Sequence, residues 1–301
     1  MPQAQIGIFV DGATSSEYVE FEVEPGSLTK LSQLLPLFEA EQDDVGVNFV
    51  VGVRPSLMQQ IAADHAPENV HDFDTDVVGT DGYVIPGTQR DLVFWVFGGA
   101  RDKVFDATRH LISLTRQVVP GTRVVDETEG WVYQTNRDLT GFIDGTENPQ
   151  DEHRAVVALL DGGEFAGGSY IHVQRWVHAM SDWEKLALKE QEDIIGRTKV
   201  DNIEYESADK PLTSHIKRVN LKTPKGESME ILRQSMPWGT MSEQGLYFIS
   251  CCRTPLHFNA MLASMYKGEG SHFDHLLRFT RAVTGAAFFA PSVDFLVAEG
   301  K

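Results

Sequence analysis

Apolar residues along the chain fall into two rhythms, and the switching between them sets the first expectations. IGIFV (6–10), VGVNFVVGV (45–53) and LVFWVFG (92–98) are short runs rich in β-branched and aromatic residues, each bounded by turn formers, and each predicts a buried strand. Between them the period lengthens to that of a helix. Ser27 caps a stretch carrying Leu28, Leu31, Leu34, Leu35 and Phe38 on one face, with a kink at Pro36. A short helix follows Pro55. A longer one begins after Asp102, runs through Phe105, Leu111, Ile112 and Val119, and stops at Pro120-Gly121; TRVVDE (122–127) then supplies a last strand. With the short helix set aside the order is βαββαβ, the ferredoxin-like arrangement.

The second half repeats this order without repeating the sequence. YIHVQRWVH (170–178) and GLYFISCC (245–252) are strands, and SDWE (181–184) is a capping box, with Ser181 at N-cap and Glu184 at N3, opening a helix that stops near Gly196. Helical stretches are expected over about 256–266 and 272–283. The expected fold class is therefore α+β: two ferredoxin-like halves with antiparallel sheets around one interface, an N-terminal domain over 1–137 and a C-terminal domain over 138–301.

Composition narrows the function classes. The chain has 301 residues, 42% of them hydrophobic, and a net charge of −18. That acidity argues against nucleic acid and anionic membranes as partners, because phosphate binding needs clustered Lys and Arg. The N-terminus shows no export signal and no run approaches a membrane span, so a cytoplasmic location is expected. The two cysteines, Cys251 and Cys252, are adjacent in a strand and point to opposite faces, which makes neither a zinc site nor a disulfide framework.

Most chemistries leave no signature. HExxH, CxxC, EF-hand, Walker and dinucleotide-glycine patterns are absent, as is the GxSxG elbow. GGEFAGGS (162–169) precedes a strand and reads as a loop. His272 and His275, spaced i, i+3, could share a metal, but a helical surface explains them as well. Residues 198–228 are polar and locally basic, with Lys210, Lys217, Arg218, Lys222 and Lys225; a solvated loop accounts for them, yet loops of that length are uncommon unless functional. This one contains His215. Two further polar residues are oddly placed. Asp144 sits between glycines in GFIDGTENP, and Arg233 ends the apolar approach in ILRQSMPWG, where a buried guanidinium needs an anionic partner. Taken singly, a surface turn and structural ion pairs explain them. Together, a carboxylate, a guanidinium and an imidazole suit peroxide activation on haem.

GFIDGTENP resembles the GxxDG signature of the dye-decolourising peroxidases, a haem family. GGSYIHVQRWVH, QEDIIGRTKVDNIE (191–204), SHIKRVN, ILRQSMPWG, GLYFISC and TGAAFFAPSVDFL (284–296) resemble that family too, in its order, most closely its compact bacterial branch. The likeness is dense over about 140–296 and diffuse before it. It implies a haem b peroxidase, one non-covalent haem per chain held mainly by the second half, consistent with the absence of CxxCH. Such an enzyme reduces hydrogen peroxide through an oxoferryl intermediate and oxidises dyes, phenols or other organic donors, commonly as a homo-oligomer. Residue by residue, the resemblance makes His215 the proximal ligand, Asp144 the distal acid and Arg233 the distal arginine. It sets Arg197 on a haem propionate and Leu246 and Phe248 on the apolar distal wall, and Asp274 is the candidate to orient His215. Ser235 stands where relatives often carry Asn, and Trp238 where Tyr or Phe is common. A haem-delivery protein, or one that releases iron from haem, is the alternative, and Asp144 argues against a chlorite-dismutating relative.

Overall fold

A computed structural model describes residues 2–24, 47–61, 71–268 and 272–299, together with positions 30, 33 and 67. Its ten-stranded sheet comprises β1 (Ser15–Glu22), β2 (Val47–Val53), β3 (Leu92–Gly98), β4 (Arg123–Trp131), β5 (Ser169–His178), β6 (Leu232–Arg233), β7 (Met236–Gly239), β8 (Gln244–Cys252), β9 (Thr280–Ala282) and β10 (Ala286–Ala290). The helices that matter below are α1 (Pro55–Ile61), α2 (Arg101–Val118), α3 (His153–Ala158), α4 (Leu188–Ile195), α5 (His215–Val219) and α6 (Pro255–Tyr266).

All neighbouring strands are antiparallel. The first half pairs in the order β2-β3-β1-β4, the second in the order β10-β5-β8 with β6 and β7 beyond, which is the ferredoxin-like arrangement twice over. The halves then join into a ring through two single-pair seams, Phe289↔Val53 and Gly130↔Trp238. Three apolar layers follow from this closure. One lies outside the first half, where Val19, Phe21, Phe49 and Phe94 meet Val104 and Leu111 of α2. A second fills the ring with Tyr18, Trp95, Phe97, Ile171, Tyr247 and Phe288. The third lies outside the second half, where Trp176, Leu246 and Phe248 meet Phe258 and Leu262 of α6. Each fully buried ring contributes about 2–3 kcal/mol.

Several expectations change here. IGIFV is no strand: Ile6–Phe9 curls into a 3-10 turn. A Cβ on Gly7 would stand 2.6 Å from the Phe49 carbonyl oxygen, so the turn lies directly on β2. Gln5 fixes it there, accepting the Val51 N–H at 2.8 Å and donating to the Val51 and Pro291 carbonyls at 3.0 Å. The strand that takes its place in the order is β1, whose SSEYVEFE hides its character because both faces are buried and two of the buried side chains are glutamates. The helix expected from Ser27 to Phe38 lies outside the described residues. Ser181 caps nothing. Met180–Trp183 makes a single turn, halted where Trp183 is buried and donates to the Thr140 carbonyl at 3.0 Å. The helix that ends at Gly196 starts instead at Leu188, with Glu190 accepting the Ala187 N–H at 2.9 Å. The stretch 272–283 is no helix: His275–Arg278 makes a 3-10 turn, and β9 follows it.

Inside the ring, Glu20 of β1 is 2% exposed. Burial, reinforced by Asp126, pushes its carboxyl up to about 7, against the smaller opposing effects of the Tyr247 hydroxyl, Arg90 and Arg175. A raised acid favours folding while protonated, so this contribution is present below the ordinary value of 4.5 and is lost as pH rises toward 7. Glu20→Gln, which keeps an acceptor for Tyr247, is expected to stabilise the protein at pH 8 by about 3 kcal/mol and to raise the thermal midpoint by roughly 5 °C. At pH 4 the variant and the wild type should melt together. Glu17, pushed up to about 7 mainly by burial and by Glu129, keeps part of the pH dependence in both proteins. Calorimetry at the two pH values checks this.

Candidate active site

Asp144 sits in a loop whose base is tied down before the acid is reached. Asp138 accepts the Thr140 N–H at 2.9 Å and meets His178 Nε2 at 3.1 Å. Burial pushes the Asp138 carboxyl upward, but His178 and the Thr140 hydrogen bonds outweigh it and hold the group below its usual range. Three successive left-handed residues, Gln134, Thr135 and Asn136, bring the Asn136 carbonyl onto the Asp144 N–H at 3.0 Å. Gly145 then turns the chain at φ +73, a conformation that glycine adopts freely, and its N–H donates to Asp144 Oδ1 at 2.7 Å. The same oxygen accepts from Arg233 Nη1 at 3.0 Å. The glycine-flanked acid and the arginine of a distant strand therefore form one charge-assisted pair.

Asn148 supports that pairing by bonding the backbone of Arg233. Its Oδ1 accepts the Arg233 N–H at 3.1 Å and its Nδ2 donates to the Arg233 carbonyl at 2.7 Å, so the loop docks on β6 as though it were a further strand. Asn148→Ala removes both bonds. It is expected to cost about 2 kcal/mol at roughly 1 kcal/mol each, visible in urea melts, and to loosen Asp144 against Arg233. A cavity of about 330 Å³ opens beside the pair, lined by Asp144, Asn148, Arg233, Ser235 and Trp95 among others. Ser235 accepts the Ile249 N–H at 3.4 Å. Trp238 does not line the cavity; its indole donates to the Trp176 carbonyl at 3.0 Å inside the core.

His215 opens α5, within the long polar segment that reads either as a solvated loop or as a functional one. That segment is in fact pinned: Lys210 is buried against Glu204, and α5 packs on α6. His215 Nδ1 meets Asp274 Oδ2 at 2.7 Å; Asp274 is fully buried, and its other oxygen accepts the Leu276 N–H at 2.9 Å. The carboxylate fixes the ring and leaves Nε2 without a partner among the described residues. Arg197, also buried, donates to the Asn202 carbonyl at 2.7 Å and meets Glu147 of the Asp144 loop and Glu204. Leu246 and Phe248 project to one side of β8, toward Phe258 and Leu262 of α6, while Tyr247 projects into the ring. Neither His215, Arg197, Leu246 nor Phe248 lines the cavity beside Asp144. Burial pushes the thiols of Cys251 and Cys252 up to about 12 and about 11, so neither is a nucleophile. His275 meets Arg278, and no metal-binding cluster of three or more His, Cys, Asp or Glu occurs among the described residues.

A carboxylate paired with a guanidinium is chemically able to move a proton, and an imidazole oriented by a buried carboxylate is chemically able to bind a metal. The family model for Dyp-type peroxidase, C-terminal, matches residues 135–295. A dye-decolorizing peroxidase of Mycobacterium tuberculosis is 36% identical over 276 residues, covering 90% of this chain and 81% of the relative. A DyP-type peroxidase structure from Shewanella oneidensis is 43% identical with a TM-score of 0.91, covering 99% of each chain. A variant of DypB from Rhodococcus jostii RHA1, solved in complex with heme, is 31% identical with a TM-score of 0.92, covering 100% of this chain and 99% of that one. The chain belongs to the Dyp-type peroxidase family, oxidoreductases that take hydrogen peroxide as acceptor and bind non-covalent haem b.

Proposed function

We propose that this chain holds haem b through His215 Nε2 and reduces hydrogen peroxide at the expense of an organic donor, such as a dye or phenol, with Asp144 and Arg233 as its distal pair. The observation that carries the reading is the His215–Asp274 contact at 2.7 Å. It occupies Nδ1 and leaves Nε2 available for iron, the arrangement that haem-ligating imidazoles require. Leu246 and Phe248 supply an apolar wall, and the Arg197 guanidinium, already held by carboxylates, suits a propionate. The haem, when bound, supplies the redox centre at which peroxide is reduced. With haem bound, Asp144 would take a proton from hydrogen peroxide and return it to the departing oxygen. Arg233 holds that carboxylate in place and offers positive charge to the leaving oxygen. Carriage of haem alone needs neither group.

The reading also includes a division into domains at 137/138, supported by the start of the family match at 135. It further includes homo-oligomeric assembly and a cytoplasmic location; no described helix is long and apolar enough to cross a membrane. The test is one absorption spectrum of the haem-reconstituted protein, before and after one equivalent of hydrogen peroxide. A Soret band that shifts with peroxide and recovers when a phenolic donor is added is expected. A band that peroxide leaves unmoved would overturn the proposal.

A further inference from the structure

The ring interior holds a group of buried polar residues that the chemistry above does not use. Tyr247 and Tyr18 are 2% and 1% exposed, and their rings stack with centroids 3.9 Å apart and planes 14° from parallel. The Tyr247 hydroxyl donates to Glu20 Oε1 at 3.2 Å. The Tyr18 hydroxyl finds no hydrogen-bond partner among the described residues. The two tyrosines come from different halves of the molecule, β1 and β8, and Tyr247 lies between Leu246 and Phe248 in the chain.

A phenol is hard to oxidise unless its proton can leave with the electron, because the oxidised, still protonated phenol is a very strong acid. A base within hydrogen-bond reach is therefore the structural requirement for a redox-active tyrosine. Tyr247 meets it and Tyr18 does not. Stacking on Tyr18 adds a second π-face that spreads the electron deficiency. We propose that Tyr247 is a redox-active residue of this peroxidase, with Glu20 as its proton acceptor and Tyr18 as its stacking partner. The inference rests on the haem site proposed above, through Leu246 and Phe248.

Tyr247 gives one electron to the peroxide-oxidised haem; its O–H bond breaks, the proton bonds to a Glu20 carboxylate oxygen, and a neutral tyrosyl remains. An organic donor too large for the cavity beside Asp144 returns the electron, and Glu20 returns the proton. Burial, by raising the Glu20 carboxyl to about 7, makes it a stronger base than an exposed glutamate while leaving it ionised in mildly alkaline solution.

The test is freeze-quench electron paramagnetic resonance on the haem-loaded protein at pH 8, mixed with one equivalent of peroxide and no donor. The wild type should give a radical signal that narrows when the protein is made with ring-deuterated tyrosine. Tyr247→Phe should lose at least nine-tenths of that signal, at unchanged haem content and with the haem absorption still responding to peroxide. Glu20→Gln, which keeps the hydrogen bond but is a far weaker base, should lose a similar share, whereas Tyr18→Phe should retain the signal. An undiminished signal in Tyr247→Phe, or a wild-type signal indifferent to tyrosine deuteration while the haem responds normally, would overturn the proposal. Equal signals in Glu20→Gln and wild type would remove Glu20 as the acceptor.

Discussion

His215→Ala should lose haem. The haem-to-protein ratio after desalting is expected to fall at least about tenfold, the scale on which even the groups that support a metal ligand act. The His215 side chain makes its recorded hydrogen bond with Asp274, and Asp274 keeps the Leu276 N–H when the imidazole is gone. The backbone around α5 keeps its own bonds, including the Arg218 N–H to the Ser214 carbonyl at 3.1 Å. Far-ultraviolet circular dichroism should therefore match the wild type, which separates a missing ligand from a missing fold. A variant that retains haem with a wild-type spectrum would remove His215 as the ligand.

Arg233→Leu should have the next largest effect, on rate. The reaction with peroxide, followed by stopped-flow at the Soret band, is expected to slow by about 10²–10³, the usual loss when one positioned charge stabiliser is removed. Haem content should hardly change. The physical reason lies in how the loop is fastened: Asn148 grips the backbone N–H and carbonyl of residue 233, which leucine supplies as well as arginine does. Only the 3.0 Å bond to Asp144 is lost, while Gly145 still donates to that carboxylate at 2.7 Å. Equal losses of haem and of rate would instead make Arg233 a structural residue.

The acid, the guanidinium and the imidazole were legible because each sits in a short stretch that is odd for its surroundings, and those oddities occur in a family order. What stayed hidden was whatever depends on residues far apart in sequence. Asn148 reads as a turn former until β6 is beside it, and Glu147 reads as a surface charge until Arg197 reaches it. The fold shows the same division. Strands with uniform apolar runs, such as LVFWVFG, were plain. β1 was missed because Glu17 and Glu20 are buried by partners from other strands, which no local pattern announces. IGIFV was misread for the converse reason: it has the composition of a strand, but Gln5 already occupies the edge of β2 that it would need.

Closing the strands into a ring also decides how copies of this chain can meet. The two terminal strands of the described sheet are short, three residues in β9 and two in β6, and Asn148 already bonds the free edge of the latter. At those ends a second molecule finds little ladder to extend, and short end strands are one of the ways in which sheets avoid zipping together. Assembly through side chains on helices and loops lets shape and charge select a partner, and there a single surface substitution can dissolve the complex without disturbing a strand.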